Sequence, residues 1–447
     1  MKDPTTMKKF LLLMLLAVVT GPVVKAGNRF PDGSPIPAWF GNTTKADAGR
    51  LGRRYVVSDY GVSMDDSTLI QTEAMQRVID MAARNGGGVI VVPRGIVMSG
   101  NLFFRQGTHL LIEKGGVLRG SDRIRDFKVM ETRIEGQTCK YFPALVNADG
   151  VDGFVVAGEG TIDGNGRSYW EEFWIRREWN RQCTNKDAMR PRLIYISNSS
   201  NVTIQDVTMK DSPYWTNHIY RCHHVRFLDL RITSSTEGLL APSTDAIDID
   251  ACHDVLVKGC YMSVNDDAVV MKGGKGTFAD KDSTNGPCYR VVIEDCRFRK
   301  THGCLTLGSE SVCDRNIILR RCELDNPYNL LWLKMRPDTP QHYEYILIEH
   351  ITGKCRNGIS VHPWTQFYQL DDRPDMPLSQ CNNIVLRNIN LQCRNFFNVR
   401  LSDKYVLRDF TFEDVNVADE AKEIAFDKSV IQGTTIQRVT INGKTIK

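Results

Sequence analysis

The sequence predicts an all-β fold, a parallel β-helix (solenoid) whose short strands stack coil upon coil beneath an N-terminal capping helix. Three observations predict it: a short strand pattern that recurs along the chain, a near-constant spacing of its copies, and one amphipathic segment ahead of them. The chain has 447 residues, which ordinarily indicates about three domains. A solenoid lengthens without dividing, so we expect residues 27–447 to form one β-helix domain.

Each copy of the repeat is a short alternating strand, a polar kink and a second short strand. The first apolar residues of successive copies are 23, 30, 36, 26, 29 and 38 residues apart, at Val202, Val225, Val255, Val291, Ile317, Ile346 and Ile384. A constant minimum with variable excess is typical of a solenoid with loops inserted on one side. A β-sandwich would need hairpin turns, and Asn-Gly turns between paired strands are nearly absent.

The predicted capping helix lies ahead of the repeats. Ile70, Ala74, Val78 and Ala82 follow helical spacing, and the Asn-Gly-Gly sequence at 85–87 supplies a stop before the strand at 88–93. An open solenoid end exposes strand edges and apolar side chains, so a helix is expected to cover it.

Composition and the N-terminus indicate an exported soluble protein. Apolar residues make up 42% and charged residues 25%, which excludes disorder, and +3 of the net charge of +4 lies in the first 26 residues. No nucleic-acid partner is therefore expected. Lys8 and Lys9 precede an apolar run, and Ala26 precedes Gly27, which predicts a signal peptide at 1–26. The run is too short to span a membrane, so we expect a periplasmic or secreted bacterial protein without membrane insertion.

The thirteen cysteines include no C-x-x-C pair, and their odd count leaves at least one thiol free. Several recur at equivalent places in the repeats, which indicates small buried thiols in a stacked interior. The sequence does not define any disulfide pairing.

Acidic residues concentrate in consecutive copies of the repeat. Asp245 precedes Asp266 and Asp267 by about one coil, His302 follows them by 36 residues from Asp266, and Lys334 follows His302 by 32. Stacked coils are about 4.8 Å apart, so these groups are expected to line one face within reach of one sugar. Mutual repulsion should keep one carboxyl protonated as an acid while another activates water.

These motifs resemble those of the polygalacturonases, family 28 of the glycoside hydrolases. The family motifs Asn-Thr-Asp, Asp-Asp, Gly-His-Gly and Arg-Ile-Lys correspond in order to residues 243–245, 266–267, 301–303 and 332–334. The resemblance covers nearly all of the chain after residue 26 and implies a right-handed parallel β-helix. It also implies an inverting hydrolase of α-galacturonosyl linkages in pectic polysaccharides, with no cofactor and no metal.

Carried over residue by residue, the resemblance implies that Asp266 is the general acid and that Asp245 and Asp267 hold and deprotonate water. His302 would orient or tune these carboxylates, and Lys334 would bind a galacturonate carboxylate. Trp332 replaces the family's arginine and removes a bidentate carboxylate partner. The other substrate-binding candidates lie near these motifs: Arg336, which would compensate for Trp332, Lys272, and Trp364 as a stacking platform.

Two other functions remain open at this stage. A β-elimination lyase would need a cation such as calcium on the acidic cluster, and a non-catalytic polysaccharide-binding solenoid would explain the repeats without the acids. The linkage, whether in homogalacturonan or in a rhamnogalacturonan, and the oligomeric state are not defined. The long intervals of 30, 36 and 38 residues favour loops that close one end of a cleft, and hence exo action.

Overall fold

The computed structural model describes residues 28–235, 237–367, 373–420 and 427–447. The predicted signal peptide, 1–26, lies outside them. Among the described residues, 29 strands join in one continuous system of sheets that winds as a right-handed parallel β-helix. The predicted fold class is confirmed. No helix in these ranges is long and apolar enough to cross a membrane.

Three parallel sheets form the faces of the solenoid. Sheet A contains Arg54–Val56, Gly88–Val92, Thr108–Ile112, Val155–Ala157, Thr203–Gln205, His223–Leu228, His253–Lys258, Cys288–Glu294 and the beginnings of Cys313–Asp325, His342–Pro363, Ser379–Val399, Tyr405–Asp419 and Thr435–Ile441. Sheet B contains Gly95–Ser99, Gly116–Gly120, Thr161–Asp163, Thr208–Lys210, Arg231–Thr233, Tyr261–Ser263 and Arg297–Arg299, and continues in the long strands. Sheet C contains Leu102–Phe104, Ala144–Asp149, Arg192–Ser197, Asn217–Tyr220, Ile247–Asp250, Val269–Lys272, Gly303–Leu307 and Asn329–Met335, and ends in two long strands.

The remaining elements lie outside these three sheets or at their ends. They are the helices α1, Thr72–Arg84, and α2, Arg167–Trp179; an antiparallel hairpin, Met130–Ile134 with Gln137–Tyr141; an antiparallel C-terminal strand, Lys444–Ile446; and the 3-10 helices Ala38–Gly41, Ala48–Arg50, Val57–Tyr60, Ile124–Asp126 and Lys428–Val430.

The repeat is visible as rows of identical positions. Val255, Val291, Ile317, Ile346 and Ile384 pair in register across sheet A, and all five are fully buried. The polar kinks of the repeat are corners between sheets A and B. Residues there adopt the left-handed conformation that Asn and Asp tolerate best, with φ of 65° at Asp206, 52° at Asp229, 57° at Asp295 and 52° at Asn388.

The cysteines occupy the interior as predicted. All thirteen are free thiols, and eleven of them are buried. Cys260, Cys296 and Cys322 follow one another in consecutive coils just before strand residues that pair in register. A thiol is small enough to repeat at this corner without overpacking the core.

Helix α1 closes the N-terminal end of the coils. Met75, Val78, Ile79 and Ala82 are buried against strands Gly88–Val92 and Leu102–Phe104. The helix stops where Gly87, at φ 101°, donates its N–H to the Ala82 carbonyl. The predicted cap is confirmed.

The hairpin at residues 130–141 is not apparent from the sequence, and it crosses the outside of sheet C. Its Arg133 is 1% exposed and donates to the buried carboxylate of Asp250 over 3.1 Å. The same guanidinium reaches Asn285 over 2.7 Å, and Arg192 donates to the Arg133 carbonyl over 2.6 Å. One side chain therefore ties the hairpin both to sheet C and to the loop at 273–286.

Replacing Arg133 by methionine should destabilise the protein because it leaves the Asp250 carboxylate buried without its guanidinium. Loss of one partner of a buried ion pair costs about 3–5 kcal/mol. We expect a clear fall in the thermal midpoint of Arg133→Met. The matched control is Arg50→Met, since Arg50 is 88% exposed in its pair with Asp47 and such pairs contribute about 0–1 kcal/mol. Equal midpoints for the two variants would contradict the assignment.

Candidate active site

A cleft of about 730 Å³ lies on the outer face of sheet C. The three long intervals of the repeat all contribute loops to its walls. These loops supply residues 240–243, Lys275, and the residues Trp364, Gln366 and Phe367. Helix α2 adds Phe173, Trp174 and Arg177, and the hairpin adds Glu135. The last two elements precede the first recognisable repeat, so the spacing of the repeats did not indicate them.

The hairpin tip closes one end of this cleft. Glu135 accepts hydrogen bonds from Tyr214 over 3.0 Å and Asn185 over 2.6 Å. At Gly136, with φ 71°, an added Cβ would lie 2.8 Å from the carbonyl carbon of Gly274. Arg373 holds the loop at 273–286 from its other side through Asp280, over 2.6 Å. The cleft therefore ends at a wall of interlocked loops.

Bends between sheets B and C position the acidic residues. Asp245, Asp266, Asp267 and His302 each lie just before a strand of sheet C rather than within it. The Ala246 N–H donates to the Asp267 carbonyl and the His302 N–H to the Asp266 carbonyl, each over 2.9 Å, which locks the bends in register. Adjacent residues in a bend need not face opposite sides, so Asp266 and Asp267 converge. One oxygen from each of Asp245, Asp266 and Asp267 lies within 4.8 Å of the others.

Basic side chains from neighbouring coils balance the three carboxylates. The Lys334 ammonium lies 2.6 Å from Asp267, and both side chains are buried. His302 Nδ1 lies 3.3 Å from Asp266. Lys272 lies 3.8 Å from Asp245, and it is held at 3.0 Å by Glu310, a residue that the sequence motifs do not include. Each carboxylate therefore has a protein cation beside it.

The three carboxylates differ in exposure. The Asp266 side chain is 24% exposed and faces the cleft. Asp245 is 3% exposed, and Asp267 is fully buried. Asp266 is therefore the carboxylate most open to a ligand, Asp245 borders the cleft but is nearly buried, and Asp267 lies behind them.

Mutual repulsion predicts that one of the three acids is protonated, but burial and the nearby cations decide which one. Burial raises the pKa of Asp245 well above its usual range, and the charges of Asp266 and Asp248 raise it further. Burial also raises the pKa of Asp266, but His302, Lys334 and Lys272 together lower it to about 2. Below the raised pKa of Asp245 the shared proton therefore lies on Asp245 rather than on Asp266, and above it Asp245 is ionised and can act as a base.

His302 carries the proton that Asp266 lacks. Burial lowers the pKa of its imidazole, but the charge of Asp266 and the hydrogen bond to it raise the pKa above the ordinary 6.5. The two side chains form an imidazolium–carboxylate pair that holds one proton. Transfer along the hydrogen bond converts this pair into a neutral histidine and a carboxylic acid that faces the cleft.

Two further predicted residues have other partners. Arg336 is 1% exposed, and its guanidinium forks onto Asp338 with both bonds at 2.7 Å. It also donates to the carbonyls of Gln366 and Phe367, so it anchors the loop of the cleft wall and does not line the cleft. Compensation for the missing family arginine is thus not supported by its position. Lys334 lines the cleft, although its charge is already paired with Asp267.

Asp248 is a neighbour of the cluster that the motifs did not single out as a site residue. It is fully buried in the strand Ile247–Asp250, 3.9 Å from the Lys272 ammonium. Burial raises its pKa well above the usual range. The Asp-Ala-Ile-Asp sequence at 245–248 could have indicated this residue, because it places one acid just before the strand and a second acid within it.

Aromatic side chains form the wall beyond His302. The ring centroids of Trp332 and Trp364 are 5.4 Å apart at 79°, and Tyr328 packs edge-on against His302 at 5.4 Å. The Lys334 ammonium lies 4.3 Å from the Trp332 ring centroid and 4.9 Å from that of Trp364. Trp364 therefore lines the cleft, as its prediction as a stacking residue requires.

The fold and the site together define a parallel β-helix with a closed, acid-lined cleft on one sheet. The family model of glycosyl hydrolases family 28 matches residues 125–418, more than half of the chain. The chain belongs to this family.

Its relatives and structural neighbours agree with that membership. The chain is 25% identical over 225 residues to a probable polygalacturonase of Vitis vinifera, covering 48% of this chain and 43% of that protein. It is 26% identical over 232 residues to an endo-polygalacturonase of Pectobacterium carotovorum subsp. carotovorum, covering 50% and 54%. These matches span less than two thirds of the relatives' lengths. The crystal structure of an exopolygalacturonase from Thermotoga maritima superposes with a TM-score of 0.71 at 20% identity, covering 88% of this chain and 93% of that one.

The pairing of His302 with Asp266 makes a direct prediction for its titration. We expect the imidazole resonances of His302, assigned with a His302→Gln variant, to titrate above pH 6.5 by NMR. In Asp266→Asn the carboxylate charge is lost while burial remains, so the pKa of His302 should fall by at least about one unit. An unchanged titration in Asp266→Asn would show that the two groups do not share a proton.

Proposed function

We propose that the protein is an inverting, exo-acting hydrolase that removes galacturonate from the non-reducing ends of pectic chains. The observation that carries this proposal is the depth ordering of the acids. Asp266 faces the cleft in a proton-holding pair with His302, Asp245 borders the cleft but is nearly buried, and Asp267 is fully buried behind them. Oxygens of the three carboxylates lie within 4.8 Å of one another.

In this mechanism Asp266 is the general acid. It receives the proton of His302 and donates it to the glycosidic oxygen as the bond to the anomeric carbon breaks. Because Asp266 is otherwise ionised, the histidine is what makes it an acid at neutral pH. Lys334 and Lys272 then stabilise the carboxylate that remains.

Asp245 and Asp267 hold the attacking water. Asp267 is fixed by Lys334 through one oxygen, and its other oxygen, Oδ1, has no hydrogen-bond partner among the described residues. The raised pKa of Asp245 makes its ionised form a stronger base than an ordinary carboxylate. One water proton passes to this pair, and the hydroxyl adds to the anomeric carbon. The activity should therefore fall as the pH falls through the raised pKa of Asp245, and also as the pH rises through the raised pKa of His302.

Exo action follows from the wall at the hairpin end. A sugar chain that enters the cleft meets Glu135 and the loop at 273–286, so it cannot continue past the acids in that direction. A chain end fits where a chain interior does not, and one sugar unit is released in each cycle. We propose that the reaction takes place outside the cytoplasm, where polymeric pectin occurs.

The lyase is the second candidate, because three carboxylates this close together also resemble a calcium site. Lys334, His302 and Lys272 argue against it, since they occupy the space and supply the charge that a cation would supply. A non-catalytic binder would have no use for a paired acid and histidine in the cleft.

Incubation with pectic oligosaccharides of defined length tests the proposal. We expect free galacturonate as the first product, with slow loss of polymer viscosity and no product that absorbs in the ultraviolet. Asp266→Asn should lower kcat by about 10² or more with little change in folding. Glu323→Gln, on the exposed face of sheet B and outside the cleft lining, is the control. Mixed oligomers from the outset would contradict exo action, and an unsaturated product would identify a lyase.

A further inference from the structure

We propose that the leaving-group side of the cleft accepts a neutral sugar with an apolar face rather than a second uronate. The substrate would then be a backbone in which galacturonate alternates with a neutral sugar, such as a 6-deoxyhexose. This inference rests on the proposed function and adds the chemistry of the sugar on the far side of the scissile bond.

The wall and the acid pair define which sugar lies on each side of the scissile bond. The closed end, at Glu135, holds the terminal galacturonate, because the rest of the chain needs an open path. The acid pair, Asp266 and His302, must reach the oxygen that stays with the leaving group. His302 lies one coil further from the wall than Asp266, and Trp332 lies one coil further again, since Thr306 pairs with Trp332 in sheet C. The leaving group therefore contacts the coil of Trp332.

The surface at that coil is aromatic. Trp332, Trp364 and Tyr328 line the cleft, and all three rings are partly exposed. Aromatic rings present apolar faces, which pack against the C–H face or the methyl group of a sugar. A uronate at this position would place its carboxylate against these rings.

Little free positive charge contacts the two tryptophan rings. The cation packed against both is Lys334, which is buried with its charge paired to Asp267 at 2.6 Å. The exposed Lys300 also lines the cleft, two residues before His302 and one coil nearer the wall than Trp332. Trp332 itself occupies the position where an arginine would supply a bidentate carboxylate contact. A desolvated carboxylate without such a partner is strongly disfavoured.

The closed side has the opposite character. Lys275 and Arg177 line the cleft near the wall, where the terminal galacturonate is proposed to sit. Lys272 also lines it, paired with Glu310 at 3.0 Å, and the Glu135 carboxylate accepts hydrogen bonds from Tyr214 and Asn185. The charge in the cleft is thus arranged for one acidic sugar at the closed end, followed by a neutral one.

Positive charge returns beyond the aromatic wall. A groove of about 410 Å³ shares Asn326 and Tyr328 with the cleft and is lined by Lys354, Arg356 and Arg394. The Arg356 guanidinium lies 5.3 Å from the Tyr328 ring centroid. Arg394 pairs with Glu420 at 3.8 Å, and both side chains are exposed. This order, acidic, neutral and then acidic, matches an alternating backbone.

Two oligosaccharides of equal length test the inference, each with galacturonate at the non-reducing end. One is an α-1,4-galacturonan, and the other alternates galacturonate with rhamnose. Galacturonate release should give a kcat/KM at least about tenfold higher on the alternating substrate. Trp332→Arg should reduce this ratio by at least about tenfold, because it restores a carboxylate partner and removes the aromatic face.

Two further variants keep the test decisive. Trp364→Ala should lower kcat/KM on the alternating substrate more than on the galacturonan, which tests the wall without a new charge. Trp179→Arg is the matched control, since Trp179 is 88% exposed at the end of α2 and outside the cleft. Faster cleavage of the galacturonan by the unaltered protein, or a ratio unchanged in Trp332→Arg and Trp364→Ala, would overturn the inference alone. No galacturonate from either substrate would overturn the proposed function and this inference with it.

Discussion

In-register stacking of parallel coils is the constraint on which the rest of this structure depends. Because every coil repeats the one before it, a residue type placed at one position of the repeat meets its equivalent in the next coil. In the interior this produces rows such as Val255, Val291 and Ile317. At the bends before sheet C the same rule brings Asp245, Asp266 and His302 together from segments far apart in sequence.

Features that repeat from coil to coil could be predicted from the sequence, and features outside the repeat could not. The apolar intervals predicted the solenoid, and helical spacing around Val78 predicted the cap. The repeats do not show whether Asp266 and Asp267 converge, since adjacent residues of a strand face opposite sides and only the observed bend brings them together. The hairpin and α2 were not predicted because they are insertions, and insertions follow no period. The fork of Arg336 onto Asp338 was also missed, since only coordinates show which of two nearby partners a guanidinium contacts.

Protonation could not be predicted from the sequence either. A cluster of acids indicates that one proton is shared, but its position depends on depth and on the cations nearby. Lys272, Lys334 and His302 come from three different coils, and together they lower the pKa of Asp266 while burial raises that of Asp245. We therefore propose that the acid is the Asp266–His302 pair rather than one protonated aspartate.

The stereochemistry of the product tests this account most directly. Oxygens of the three carboxylates lie within 4.8 Å of one another, close to the 5–5.5 Å of retaining enzymes and short of the 6.5–9.5 Å of inverting ones. The burial of the carboxylates leads to the opposite expectation. Asp245 is nearly buried and Asp267 is fully buried, so we expect each to act on the anomeric carbon through a water. Proton NMR of the first-formed sugar should show β-galacturonate before mutarotation. An initial α signal would contradict the account, because it would require one of these carboxylates to attack directly.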